Sequence, residues 1–102
     1  MEGKARMPSI TNAQVEYCIY VDTVLEGPRP VERNGQGYPY IYPSLLAAQR
    51  AIAEYVIERL QQFLAGEREF DDAMTVEEYV VEVDVLPDGA VCDESGRCFG
   101  RD

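Results

Sequence analysis

The chain has 102 residues and 46% hydrophobic content, and its 19 acidic residues against nine basic ones give a formal net charge of −10. This length and composition predict a globular domain with its own core rather than a disordered chain. So acidic a chain is repelled by phosphate backbones and anionic membranes, which argues against direct nucleic-acid binding and is compatible with a basic protein partner. The sequence has no histidine, so the side chain most often used for proton transfer and metal binding is missing.

The N-terminal residues and the cysteines indicate in which cellular compartment the protein is expected. Residues 1–13 contain no apolar run typical of a secretory signal, and we expect them to form a flexible arm ahead of a single α+β domain over residues 14–102. No segment approaches the roughly 18 apolar residues that a membrane helix needs. Three cysteines without an export signal favour reduced thiols and a cytoplasmic location.

A strand is predicted from Val15 onward, because apolar and polar residues alternate there. Its core face is expected to carry Val15, Tyr17, Ile19, Val21 and Leu25, and its outer face Glu16, Cys18, Tyr20 and Asp22. Residues 26–36 read as a loop because of their prolines and glycines. Residues 37–43 place three tyrosines at every second position and predict a short edge strand, which would pair with the first strand if the Asn34-Gly35 turn closes a hairpin.

A long helix is predicted over residues 44–66, with Ser44 as N-cap and Gly66 at the left-handed C-terminal position. Its apolar residues fall within one arc of about 140° at the helical period of about 100° per residue. We expect this whole arc, and Val56 and Leu60 in particular, to cover the sheet. The arc consists of Leu45, Leu46, Ile52, Val56, Ile57, Leu60, Phe63 and Leu64.

A second alternating segment, residues 75–86, predicts another strand, with Tyr79, Val81, Val83 and Val85 facing the core. Turns around Gly89 and Gly96 predict that the chain then returns twice as short antiparallel strands. The fold class is therefore an α+β two-layer sandwich of order β-β-α-β-β, with one long helix on a mostly antiparallel sheet of four to five strands. A crossover through the helix would place the two long strands side by side and parallel.

The first candidate site is an acidic outer face of this sheet. It would unite residues from both long strands, whose mutual repulsion suggests a contact surface for a basic protein. The alternative is a solvated face that only keeps the protein soluble. The residues are Glu16, Tyr20, Asp22, Glu78, Glu82 and Asp84.

The second candidate site is an aromatic edge formed by Tyr38, Tyr40 and Tyr42. Tyrosines bury a large area with few rotamers to fix, so they suit a partner-binding surface. The same spacing also suits rings that cover the open end of the core. Both interpretations stay open at this point.

The remaining polar and sulfur groups predict no catalytic or metal site. The turn at residues 94–96 places Cys92 opposite Cys98 in a geometry that permits a disulfide, although a cytoplasmic chain would keep both as thiols. Too few ligands are available for zinc. The carboxylates of residues 67–72 lack the order of a calcium loop and read as a solvated linker. We expect no cofactor, no metal and no catalytic residue.

No motif identifies a family, so function is inferred from surfaces. The leading hypothesis is a small acidic cytoplasmic accessory protein that acts by protein–protein interaction, of the kind carried by mobile genetic elements. We expect a homodimer through the tyrosine edge, with the acidic face directed outward. The alternative is a small-molecule-binding domain or minor enzyme whose pocket lies between the helix and the loop of residues 26–43.

Overall fold

The computed structural model describes residues 14–101, so the predicted N-terminal arm lies outside the described residues. The chain folds as a mixed α+β structure with one long helix and a five-stranded antiparallel sheet of order β2-β1-β3-β4-β5. This confirms the predicted α+β fold with one long helix on an antiparallel sheet, whereas the two-layer β-β-α-β-β sandwich is matched only in part. The elements are β1 Gln14–Thr23, β2 Gly27–Pro30, α1 Leu45–Leu64, α2 Phe70–Met74, β3 Tyr79–Val85, β4 Val91–Asp93 and β5 Cys98–Phe99.

The two long strands, β1 and β3, are neighbours as expected, but they run antiparallel. The prediction of a parallel pair is therefore wrong. Both β2 and β3 are antiparallel to β1, so they are parallel to each other with β1 between them. The helix thus connects β2 to β3 across β1, and the crossover skips one strand position.

Strand β2 lies inside the segment that the sequence assigned to a loop. The backbone N–H and C=O groups of Gly27, Arg29 and Val31 point toward β1, and the Val31 amide donates to the Ile19 carbonyl at 2.9 Å. Because strand amides alternate in direction, Pro28 and Pro30 occupy the positions whose missing N–H would point away from β1. Two prolines at alternate positions of an edge strand therefore do not interrupt the ladder.

The tyrosine segment does not form the predicted edge strand. It folds back on the residues before it through an isolated bridge between Arg33 and Pro39, and the Asn34 amide donates to the Tyr38 carbonyl at 2.7 Å. Only Tyr42 pairs with β1, through two backbone hydrogen bonds with Tyr17 of 3.0 and 2.7 Å. The Asn34-Gly35 turn closes a local hairpin rather than adding a strand to the sheet.

The structure buries both faces of β1. Ile19, on the predicted core face, is 1% exposed and lies on the helix side of the sheet. Cys18 lies opposite Val81 and Tyr20 opposite Tyr79, so the even-numbered residues of β1 share a face with Val81, Val83 and Val85 of β3. Cys18 and Tyr20, which were predicted to lie on the outer face, are fully buried there. They form the main core with Val83 and Val91, and Ile41, Val81, Val85 and Phe99 pack against it. The predicted outer face of β1 is therefore corrected.

The sheet curls around this core until its edge strands approach each other and it becomes nearly barrel-like. The rings of Tyr20 on β1 and Phe99 on β5 meet edge to face with centroids 5.9 Å apart. The Arg29 guanidinium of β2 lies 5.9 Å from the Phe99 ring centroid. From β5's side, Arg97 donates to the Pro28 carbonyl at 3.3 Å. This curvature lets one face of the sheet enclose a core by itself.

Helix α1 covers the opposite face of the sheet and has the predicted caps. The Ser44 hydroxyl accepts from the Ala47 amide at 3.0 Å. At the other end Gly66 has φ +80°, and its amide donates to the Phe63 carbonyl at 3.0 Å while the Glu67 amide donates to the Gln62 carbonyl at 2.8 Å. These two bonds form a Schellman motif, for which a residue with positive φ is needed.

The rotation of α1 about its axis differs from the prediction. The side that faces the sheet is centred near Ala48, which is fully buried, whereas Val56 and Leu60 are only half-buried. Ala48 permits close approach because it is small. Arg59 then fixes the rotation, since its guanidinium donates to the Thr75 carbonyl at 2.8 Å and pairs with Glu78 at the start of β3. Part of the apolar arc consequently faces outward.

The two C-terminal turns are confirmed. Gly89 and Gly96 have φ values of +101° and +90°, and the Leu86 amide donates to the Ala90 carbonyl at 2.8 Å. A side chain at Gly89 would also contact the Tyr38 ring at 3.4 Å. The hairpin of the tyrosine segment therefore lies against the β3–β4 turn.

Candidate interaction surfaces

The six residues of the predicted acidic face do not share one surface. By the β1–β3 register, Glu16, Tyr20 and Asp22 lie on the concave core side. The alternation of β3 directs Glu78, Glu82 and Asp84 to the helix side instead. The premise of one continuous carboxylate face is wrong, because the antiparallel register reverses which positions of the two strands coincide. Whether any of these residues contacts a partner stays a prediction.

Tyr20 is buried and holds the curled sheet together. Its hydroxyl donates to Asp93 Oδ2 at 3.0 Å, while Asp93 Oδ1 accepts from the amides of Ser95 and Arg97 at 3.0 and 3.1 Å. Burial, and then the hydrogen bond to Asp93, raise the pKa of Tyr20. Burial alone would raise the pKa of Asp93, but its hydrogen bonds from Ser95 and Tyr20 outweigh that effect and lower it. Tyr20 therefore has a structural role in this arrangement.

A depression of about 330 Å³ opens beside Tyr20 at the mouth of the curled sheet. Tyr79 forms part of its wall, and its hydroxyl donates to Asp22 at 2.5 Å. Burial and this hydrogen bond raise the pKa of Tyr79 to about 12. The carboxylates of Asp22 and Asp93 are thus already occupied by tyrosine hydroxyls, and the depression shows no group prepared for a ligand.

The tyrosine edge covers part of the core and leaves one ring exposed, while its role in partner binding stays a prediction. Ile41 packs on the core and Pro39 is buried, so this segment covers the core. Tyr40 is exposed, and its ring centroid lies 4.9 Å from that of Tyr42. Burial, and then a 2.7 Å hydrogen bond to Glu32, raise the pKa of Tyr42, to which the negative charge of Glu54 on α1 also contributes.

The predicted pairing of Cys92 with Cys98 is confirmed, and the two sulfurs form a disulfide across the β4–β5 hairpin. Their Cα atoms lie 4.0 Å apart, as expected for a non-hydrogen-bonded pair next to the hydrogen-bonded pair of Asp93 and Arg97. The alternative of two reduced thiols does not describe this structure. Cys18 is the free cysteine of the described chain, and burial raises its pKa to about 12.

A groove runs between α1, α2 and the start of β3, in the region where the alternative hypothesis places a ligand pocket. Two connected depressions of about 160 and about 280 Å³ share Arg59, Arg68 and Glu78, and the larger also touches Val31 in the 26–43 segment. Arg68 donates to Gln62 and Asp72, each at 2.6 Å. Both arginines are therefore engaged by protein groups.

Glu78 carries an unsatisfied atom in this groove. Burial by itself would raise its pKa, but the hydrogen bond and the charge of Arg59 outweigh burial, so the pKa lies below its ordinary value. One oxygen pairs with Arg59, while Oε1 is buried without a hydrogen-bond partner. A small donor could satisfy that oxygen.

The largest exposed apolar feature of α1 was missed at the sequence level. We call Leu46, Ala53, Ile57 and Leu64 the outer helix surface. All four are exposed, with Leu46 at 55%, Ile57 at 54% and Leu64 at 80%. They fall within a narrow stripe directed away from the sheet, because they are separated by seven, four and seven residues. This spacing could have revealed the stripe from the sequence alone. Its large apolar members were instead assigned to one broad arc that was expected to face the core.

Further apolar side chains are exposed near the C-terminal end of α1. Phe70 and Met74 of α2 are each half-exposed, and the Phe63 and Phe70 rings meet edge to face at 5.2 Å. Exposed apolar side chains grouped in this way are unusual on a monomeric domain and typically mark a contact surface. On the β1–β2 turn, Val24 and Leu25 are 99% and 94% exposed.

Residues 14–101 contain no group of three or more side chains arranged to hold a metal ion. Within the same range, no helix has the length and apolar character to cross a membrane. Comparison of the chain with protein-family models, with curated proteins and with solved structures gives no match.

Proposed function

We propose that the chain is a protein-interaction module and that it binds through the outer helix surface. The observation that supports this is the exposure of large aliphatic side chains on the side of α1 opposite the sheet. Leaving such side chains in water costs about 25 cal/mol per Å² relative to burial. The core does not use them, because its buried cluster comes from the strands of the curled sheet and the buried residue of α1 is Ala48.

The tyrosine edge extends this binding surface. Tyr40 is exposed, and its ring centroid lies 4.9 Å from that of Tyr42. Together the two rings offer aromatic area to a partner. The division of the acidic residues between two faces removes the reason to place the main contact on the sheet.

A retention assay tests this proposal. The immobilised wild-type chain is compared with the double variant Ile57→Glu and Leu64→Glu, using a soluble extract of the source cells. The control is Val24→Glu with Leu25→Glu, which adds the same charge to apolar residues at the β1–β2 turn that are even more exposed than Ile57 and Leu64. Partner proteins from the extract, or free copies of the chain added to it, should be retained by the immobilised wild type and control. The immobilised helix variant should not retain them. Equal retention on all three would refute the proposal.

The second candidate function is binding of a small molecule in the groove beside Glu78. The unsatisfied Oε1 atom favours it, since a buried unpaired acceptor costs about 1–3 kcal/mol that a bound donor would recover. The test is the melting temperature with and without methylammonium and other small primary amines. A shift seen for the wild type and for Glu77→Gln, but absent in Glu78→Gln, supports this function. The same shift in Glu78→Gln would place the ligand elsewhere.

A further inference from the structure

The charge of α1 differs from the charge of the chain as a whole. Its 20 residues carry Arg50, Arg59, Glu54 and Glu58 as their charged groups, so two positive and two negative charges give the helix a formal charge of zero. The full chain carries −10. Two copies approaching each other are therefore repelled by most of their surface but not along α1 itself.

The exposed apolar residues of α1 also have the spacing of a helix-pairing seam. Leu46, Ala53 and the half-buried Leu60 follow one another at seven-residue steps, and Ile57 and Leu64 form a second such series. Positions that alternate by three and four residues keep one side of a helix directed at a partner helix. The seam runs nearly the whole helix, which is about 30 Å long at about 1.5 Å per residue.

We infer that the partner bound by the outer helix surface is a second copy of this chain, with the two α1 helices packed antiparallel about a two-fold axis near residue 55. This inference rests on the proposed function and names the partner for the same surface. It also moves the dimer contact from the tyrosine edge, where the sequence placed it, to the helix.

The antiparallel direction follows from the sizes of the side chains along α1, because a parallel pair in register would set the small Ala53 against itself and Ile57 against itself. Leu45 and Leu46 are exposed at the N-terminal end, and Leu64 is exposed at the C-terminal end beside the Phe63–Phe70 pair. About a two-fold axis near residue 55, Leu46 meets the partner copy's residue 64, and the small Ala53 meets the large side chain at 57. Both ends of the seam are then covered by apolar side chains.

One charged residue of the seam favours the same direction. Arg50 is exposed and lies seven residues before Ile57, so it belongs to the second series of the seam. In a parallel pair in register, the two Arg50 side chains would meet at one level of the seam and repel each other. In the antiparallel pair about residue 55, each Arg50 instead lies level with residue 60 of the partner copy. The same contact recurs on the other side of the two-fold axis.

The first experiment measures oligomeric state by light scattering and sedimentation. The wild type and the Val24→Glu, Leu25→Glu control should show the mass of two chains at high protein concentration. Ile57→Glu with Leu64→Glu should show the mass of one chain, with an unchanged far-ultraviolet circular dichroism spectrum. Added salt should strengthen the wild-type dimer by screening the repulsion between the acidic copies.

The second experiment determines direction by cysteine cross-linking. Oxidation of a mixture of Leu46→Cys and Leu64→Cys chains should join the two variants to each other, and neither variant alone should be joined to itself. Cross-linking of each variant with itself would overturn the antiparallel arrangement. A wild-type chain that stays monomeric overturns the inference of a dimer. The proposed function is then still decided by the retention assay. If that assay then shows another protein lost by the helix variant, the surface binds a partner other than this chain.

Discussion

The hydroxyl of Tyr20 gives the sharpest test of how the curled sheet is stabilised. Replacing Tyr20 by Phe keeps the buried ring and its contact with Phe99 but removes the 3.0 Å hydrogen bond to Asp93. A hydrogen bond to a charged group contributes about 1.5–3 kcal/mol. Asp93 is only half-buried, so a water molecule can replace the lost hydroxyl at Oδ2. Its Oδ1 also keeps the amides of Ser95 and Arg97 as donors. We therefore expect Tyr20→Phe to lower the free energy of unfolding by about 1–2 kcal/mol.

This difference should depend on pH in both directions. The folded pKa of Asp93 is lowered, so its contribution to stability is present above its ordinary value of 3.8 and is lost as the pH falls through the folded value. The folded pKa of Tyr20 is raised from 10, so the wild type loses stability above that pH by about 1.4 kcal/mol per unit, whereas Phe does not titrate. The advantage of the wild type should therefore shrink at both extremes.

Urea denaturation followed by circular dichroism measures this free energy at neutral, acidic and alkaline pH. The matched control is Tyr79→Phe, which removes a hydrogen bond to Asp22 from a ring that is 37% exposed. Its effect should stay within about 0.5 kcal/mol. A Tyr20→Phe variant as stable as the wild type at neutral pH, or a difference that is constant with pH, would refute this account of the closure.

Three further predictions concern the helix and the cysteines. Leu60→Ala should cost about 1–2 kcal/mol in urea denaturation at a protein concentration low enough to keep the chain monomeric, because Leu60 is only half-buried within one chain. A loss above that range in the monomer would contradict the half-buried position of Leu60. Ser44→Ala should lower the free energy of unfolding by about 1 kcal/mol, since the Ala47 amide loses its capping acceptor. Ser44→Asp, which keeps a capping oxygen, should retain the wild-type stability, and a similar loss in that variant would exclude capping as the cause. Reduction of the Cys92–Cys98 disulfide should lower the free energy of unfolding by about 2 kcal/mol, since the disulfide closes a short loop. Thiol titration of the reduced protein should then count two reactive thiols in the folded state and three in denaturant, because Cys18 is buried with a raised pKa. Three fast-reacting thiols in the folded state would contradict the burial of Cys18.

Features set by neighbouring residues could be predicted from the sequence. The caps of α1 at Ser44 and Gly66 were predicted because an N-cap side chain and a left-handed C-terminal residue act within one turn of the helix. The disulfide followed from the turn at residues 94–96, which by itself fixes the register of the β4–β5 hairpin. The core face of β3 was also found, because Val81, Val83 and Val85 alternate with the acidic residues Glu82 and Asp84.

The candidate surfaces depended on contacts between distant segments, and here the sequence was insufficient. Both sides of β1 carry residues able to be buried, so only pairing with β3 and curling toward β5 placed Cys18 and Tyr20 in the core and divided the acidic residues between two faces. The apolar arc of α1 is wider than the sheet can cover. Its rotation was decided by the small Ala48 and by the Arg59–Glu78 pair, which joins residues 19 positions apart. Local periodicity thus determined which residues form each element, whereas tertiary contacts decided which side of each element is left exposed to a partner.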